Sequence, residues 1–210
     1  FRICNYKGKL RYKNFDFIKY NINKINDVIK KEFTEVKSIT EFGSGLGKNL
    51  IRLKKIIPQL KYYGYELTES GVEISKLASK KFNFDIKYSQ LDFINDNDEK
   101  FIFPKSNLGI TLFALEQIPD QKNIKLGIEN ILKSVTHGSI HIEPVLENYP
   151  NNIHGLFCKK YHKNHDYLKN FEEIISKIKN ISYRRIVLNY SGNPFMYPSL
   201  YVIKKKNYEN

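Results

Sequence analysis

The sequence is poor in cysteine, arginine and long apolar runs, and each shortage removes a class of protein. Its two cysteines, Cys4 and Cys158, stand far apart and without metal-ligand spacing. That argues against a disulfide scaffold or a zinc site, so reduced thiols, no bound metal and a cytoplasmic location are expected. No stretch approaches the roughly 18 apolar residues needed to cross a bilayer; neither a span nor a membrane partner is expected. The start, Phe1-Arg2-Ile3-Cys4-Asn5-Tyr6-Lys7, shows no apolar signal-peptide core and no initiating Met, as expected of a trimmed chain. Internal repeats, Pro-rich linkers and long low-complexity tracts are missing as well.

What is present fits one globular unit. The 210 residues include 41% hydrophobic and 14% aromatic side chains, with a mean hydropathy of -0.49, which suits a single folded domain and not a disordered chain. The formal charge of +13 raises the question of a polyanion partner. Its source weakens that reading, because 30 of the 35 basic residues are Lys and Lys, Asn and Ile together make up 79 positions. All three have A/T-rich codons, so genome bias alone yields such an excess. The lysines are also scattered, with one dense run at Lys204-Lys205-Lys206. A solvated surface is expected before a nucleic-acid face.

Helical and strand patterns alternate along the chain. Apolar residues at Phe15, Ile18, Ile22, Ile25, Val28 and Ile29 predict a helix near Phe15 to Phe33. Then follow a strand Val36 to Phe42, a helix Lys48 to Ile57 stopped by Pro58, a strand Tyr62 to Leu67, a helix Glu69 to Phe82 and a strand at Ile86-Lys87-Tyr88. A polar loop at Asn95 to Lys100 leads to strand Leu108 to Phe113, helix Ile124 to Ser134 and strand Ser139 to Glu143. After a break around Pro144 to Asn152, a helix near Tyr167 to Ile178 precedes strands Tyr183 to Tyr190 and Ser199 to Lys204. Five alternations of short apolar strand and amphipathic helix predict a mostly parallel sheet covered on both faces. The last two strands leave no room for a crossover helix and should form an antiparallel hairpin at the sheet edge through Ser191-Gly192-Asn193-Pro194.

In open parallel sheets ligands gather at the carboxyl ends of the strands. The first strand leaves through Glu41-Phe42-Gly43-Ser44-Gly45-Leu46-Gly47-Lys48-Asn49. Glycines there let a ligand approach main-chain N–H groups beside a helix N-terminus. Lys48 stands where a dinucleotide fingerprint needs its last glycine, and Asn49 stands where a P-loop needs Ser or Thr. Strand two ends at Tyr65-Glu66-Leu67, which places a carboxylate where a ribose could be held, and strand three is followed by Gln90-Leu91-Asp92-Phe93, an acceptor and a ring for a base.

With these motifs in order, the chain resembles the class I S-adenosylmethionine-dependent methyltransferases. The likeness rests on Glu41-x-Gly43-x-Gly45-x-Gly47, Glu66, Asp92-Phe93 and the segment Leu112-Phe113-Ala114-Leu115-Glu116-Gln117-Ile118-Pro119-Asp120, and runs from about Val36 to Glu143. It implies a Rossmann-like, doubly wound α/β sheet of seven strands with helices on both faces and an antiparallel C-terminal hairpin. It also implies S-adenosylmethionine as cofactor, held by Glu41, Gly43, Ser44, Gly45, Gly47, Glu66, Leu67, Asp92, Phe93, Phe113 and Ala114. One domain, 1–210, would divide into a helical flank or lid (1–34), a cofactor core (35–143) and substrate-side loops with the hairpin (144–210).

Methyl transfer by in-line displacement relies first on alignment. Where a base is needed, Glu116, Glu143, His154 and His165 are the candidates, with Glu147 nearby. Gln117 departs from the family, in which many relatives carry His, and Gln cannot accept a proton at neutral pH. Tyr149 to Gly155 and Tyr161 to Tyr167 would cover the pocket or form solvated connections, with a helix N-cap at Asn164 or Asp166. Asn193-Pro194-Phe195-Met196-Tyr197 is similar to the motif of amino-group nucleic-acid methyltransferases but lies in the hairpin, not after strand four. A small-molecule acceptor is therefore expected. The alternatives are an RNA or protein acceptor, a non-catalytic nucleoside-binding protein and, disfavoured by Lys48, a nicotinamide dehydrogenase.

Overall fold

The structure, a computed structural model, describes residues 2–206 apart from 34, 97 and 119. Pro119 of the segment after strand four therefore lies outside the described residues.

The chain runs β1 (Arg2–Tyr6), β2 (Lys9–Lys13), α1 (Phe17–Glu32), β3 (Ser38–Phe42), α2 (Lys48–Ile56), β4 (Lys61–Glu66), α3 (Glu69–Lys81) and β5 (Ile86–Gln90). It continues through β6 (Ser106–Leu112), α4 (Gln121–Lys133), β7 (Val135–Pro144), α5 (Ile153–Asn164), α6 (Phe171–Ser176), β8 (Ile181–Val187), β9 (Tyr190–Ser191) and β10 (Pro198–Lys205). Seven strands form one sheet in the order β5-β4-β3-β6-β7-β10-β8. The first five are parallel, and β10 runs antiparallel to both β7 and β8. The expected fold class is observed, with β8 at the edge.

Burial explains the two-sided cover. In β3 four of five residues are buried, the continuous pattern of a strand covered above and below. One face packs Ile39, Tyr62 and Leu108 against Ile25, Ile29, Leu50 and Leu53 of α1 and α2. The other packs Phe42, Tyr65 and Tyr201 against Ile124, Ile128 and Ile131 of α4 and Phe171 of α6. Asp16 caps α1 by accepting from the Lys19 N–H, and Thr68 caps α3 by accepting from the Gly71 N–H. Both caps fix where a helix leaves the sheet.

The fold differs from the sequence-based expectations in three places. The N-terminal flank is not only helical: β1 and β2 form a hairpin before α1, turning on Lys7 and Gly8, both with left-handed φ (54° and 72°). A two-residue turn of that kind suits the twist of paired strands. The expected strand Tyr183 to Tyr190 splits, since β8 ends at Val187 and β9 leaves to pair with β1, giving a second sheet β2-β1-β9. A helix, α5, stands where loops were expected, while α6 covers only part of Tyr167 to Ile178. Neither expected N-cap exists: Asn164 is the last residue of α5, Asp166 lies beyond it with φ 47°, and Asn152 caps α5. The inner face of α5 is Gly155, Cys158 and His162, too small and polar to give an apolar stripe.

Candidate functional site

The carboxyl ends of β3, β4, β5 and β6 surround a cavity of about 560 Å³. Of the residues expected at a cofactor, Gly43, Gly45, Glu66, Leu67, Asp92, Phe93, Phe113 and Ala114 line it. Glu41, Ser44 and Gly47 stand behind that lining. Ser44 is buried and its N–H donates to the Tyr65 carbonyl, while Gly47 sits where a Cβ would come within 2.6 Å of the Tyr88 hydroxyl.

The two glycines that face the cavity are constrained differently. A Cβ on Gly43 would lie 2.6 Å from the Ala114 Cβ, so the β3 and β6 exits touch only because one of them lacks a side chain. Gly45 has φ +54°, and nothing lies within 4 Å of where its Cβ would be. Open space in front of bare backbone is the feature a ligand-binding turn needs.

Acids arrange this turn. The Glu66 carboxylate accepts from the Gly45 N–H at 2.9 Å, the Thr68 N–H at 3.2 Å and the Thr68 hydroxyl at 3.1 Å. It ties the glycine turn to the start of α3. Asp92 accepts from the N–H groups of Ile94 and Asn95 at 3.0 and 3.2 Å and from the Asn95 side chain at 2.8 Å. That Asx-type turn carries Ile94 and Asn95 into the lining. Gln90 is spent on the Leu67 carbonyl. Glu41 is fully buried; Asn49 donates to one of its oxygens at 2.7 Å and the other has no partner. Burial pushes its carboxyl up to about 8, against the Asn49 hydrogen bond and with the charge of Glu66 adding to the rise. Phe113 adopts φ +55°, a strained backbone for a large side chain at the mouth of the cavity.

The four candidate bases fall in different places. Glu143 is fully buried and accepts from the Thr111 hydroxyl at 2.8 Å and from the Ala114 and Glu116 N–H groups at 3.2 and 3.4 Å, shaping the turn after β6. Burial pushes it up to about 7 despite those hydrogen bonds. Glu116 is buried between Ala114 and Gln117, and one of its oxygens is without a partner. Burial, then the neighbouring Glu143, push it up to about 9. None of the four candidate bases lines the cavity: Glu116 and Glu143 are buried behind the turn after β6, and His154 and His165 lie elsewhere. His154 contacts the Pro194 carbonyl and the Tyr197 hydroxyl, and His165 is exposed against the Tyr161 carbonyl. Glu147 accepts from the Asn170 N–H.

The sequence reading did not single out Thr68, Ile94, Asn95 or Asn123, which also line the cavity. Thr68 carried a usable signal as a Thr N-cap directly after strand two; Asn123, on the first turn of α4, carried none. Also unforeseen is a buried polar chain, Ser139–His141–Thr111–Glu143, with contacts of 2.7 and 2.8 Å on the two ring nitrogens of His141. Burial pushes that imidazole down to about 3 and keeps it neutral.

No family model matches the chain, and no curated protein matches it in sequence. Solved structures do match in shape. The plantazolicin methyltransferase BpumL, in complex with a triazolic desmethylPZN analog and SAH, is 13% identical with a TM-score of 0.67, over 91% of this chain and 86% of that one. The methyltransferase domain of bacterial CtHen1-C is 14% identical with a TM-score of 0.66, over 90% and 98%. Magnesium protoporphyrin IX methyltransferase (ChlM) from Synechocystis PCC 6803, with bound SAM, is 12% identical with a TM-score of 0.62, over 93% and 86%. The fold is that of the class I methyltransferases.

Proposed function

We propose that the protein is a methyltransferase that uses S-adenosylmethionine and passes its methyl group to a small-molecule acceptor by in-line displacement. The observation that carries this reading is the open space before Gly45, bounded by the Glu66 carboxylate on one side and by Asp92 and Phe93 on the other. The residues fit the cofactor. Glu66, with three bonds already accepted, retains one lone-pair site for a ribose hydroxyl, Asp92 an acceptor for a base amino group, and Leu67 and Phe93 apolar surface for the base. Glu41, buried behind the turn with one oxygen unpartnered and its carboxyl pushed up to about 8, can meet a cationic amino group as a counter-charge only once ionised. When bound, the cofactor supplies a methyl group on a sulfonium.

The chain's own part is to align and exclude water. The Phe113–Ala114 turn, fixed by Glu143, borders the acceptor side, and Glu116 is buried behind it with one oxygen unpartnered. With its carboxyl pushed up to about 9, Glu116 is protonated at neutral pH and takes a proton only after ionising. ChlM, which shares the fold, is named for a small-molecule acceptor.

Calorimetric titration with S-adenosylmethionine and, separately, with NAD tests the reading. Saturable binding of the sulfonium cofactor without binding of NAD is expected; preference for NAD, or affinity for neither, overturns it.

A further inference from the structure

Three segments remote in sequence are fastened at one end of the molecule: the β1–β2 hairpin, helix α5 and the β8–β10 connection that contains β9. The Tyr197 hydroxyl donates to the Gly8 carbonyl at 2.7 Å and contacts His154 at 2.9 Å. The Gly8 N–H donates to the Asn189 carbonyl, the Asn5 side chain to the Met196 carbonyl, and the Asn193 side chain to the Tyr161 hydroxyl. The assembled end combines two properties.

First, it contains no acid. Residues 2–15, 148–165 and 188–197 include none of the chain's 22 carboxylates, yet carry Arg2, Lys7, Lys9, Arg11, Lys13, Lys159, Lys160 and Lys163. Second, it exposes large apolar side chains among those cations. Ile153, Leu156 and Phe157, spaced to share one face of α5, are 76%, 62% and 60% exposed. On the hairpin, the cross-strand pair Ile3 and Tyr12 is 61% and 68% exposed. The α5 helix thus turns its bulky residues outward and its Gly155 and Cys158 inward.

We propose that this end docks on the surface of an anionic lipid bilayer, with Ile153, Leu156 and Phe157 entering the headgroup boundary and the hairpin and α5 cations meeting the lipid charges. Apolar side chains flanked by Lys and Arg are the pattern of an interfacial helix. On α5 the exposed side chains are mainly aliphatic, Ile153 and Leu156 beside Phe157, and its cations are the ammonium groups of Lys159, Lys160 and Lys163, which suits acyl chains and lipid charge better than the rings and guanidinium groups that stacked bases select. No described helix is long and apolar enough to cross a membrane. Surface docking needs no span, so the expectation of no membrane partner, drawn from the lack of one, does not cover it.

The test is sedimentation of the full chain with vesicles of phosphatidylcholine containing 30% phosphatidylserine (about a third anionic) and with pure phosphatidylcholine. Binding to the anionic vesicles alone, weakening as salt rises, is expected. Leu156→Asp with Phe157→Asp should reduce it at least about ten-fold, and Lys160→Glu with Lys163→Glu should reduce it about five-fold per lysine changed. Unchanged thermal melting of these surface variants shows that the chain still folds. Three results overturn the proposal: no binding to anionic vesicles, variants that bind as the parent does, or a face that instead holds a single-stranded RNA probe or a second copy of the chain in sedimentation velocity.

Discussion

The two ends of this molecule are assembled in opposite ways. At the cavity, contiguous residues complete the geometry: Gly43 to Gly47 turn the chain, Glu66 braces Gly45 across one strand, and Asp92 folds the next three residues over itself. At the acid-free end, the fastenings join segments more than thirty positions apart: β1 pairs with β9, and Tyr197, Asn5, Asn193 and the Gly8 N–H reach across to the other segments. A site held by local turns is rigid wherever its strands are rigid. A surface held by a few distant contacts is separable from the core, and substitutions at the two ends should therefore report differently.

The largest effect is expected at the β3 exit. Gly43→Ala forces a Cβ to within 2.6 Å of Ala114 in left-handed backbone and should cost roughly 2–5 kcal/mol in urea unfolding. Gly45→Ala, with nothing within 4 Å, should cost only about 1 kcal/mol. Equal losses would break the distinction between the packed and the open glycine.

The next concerns pH. Glu116 titrates near 9 in the folded chain against 4.5 ordinarily, so the native state holds more protons than the unfolded one between those values. Its contribution to stability therefore falls as pH rises from about 4.5 towards 9. Glu116→Gln should match the parent near pH 4 and exceed it at pH 9 by on the order of a few kcal/mol; parallel stability curves for the two would contradict this.

Glu66→Ala should weaken binding of S-adenosylhomocysteine by about 1.5–3 kcal/mol and, because three internal hydrogen bonds go with it, lower the melting temperature by several degrees. An unchanged dissociation constant would remove Glu66 from the ligand site. The smallest effect is expected from Tyr197→Phe, which deletes the donor to Gly8 and should cost about 1 kcal/mol. Its signature should be faster amide exchange in β1 and β2 with β3–β6 unaltered; loosening of the central strands as well would show that the two ends are coupled.

The same contrast explains how much could be read from sequence. The strand order from β3 to β7, the glycine turn and the positions of Glu66 and Asp92 follow from local periodicity and short motifs. Helix α5 was hidden because its inward residues, Gly155, Cys158 and His162, are not apolar bulk. The diversion of Tyr190 and Ser191 into the second sheet depends on pairing with Asn5 and Tyr6, which no local pattern announces. Nor could the neutral His141 chain be foreseen, since Thr111 and Glu143 meet it only after β6 and β7 pair.

The triple engagement of Glu66 bears on speed as well as affinity. Because its carboxylate already fixes the Gly45 N–H and the first turn of α3, the binding loop has no search to complete when a nucleoside arrives. Stopped-flow association of S-adenosylhomocysteine should then follow a single exponential.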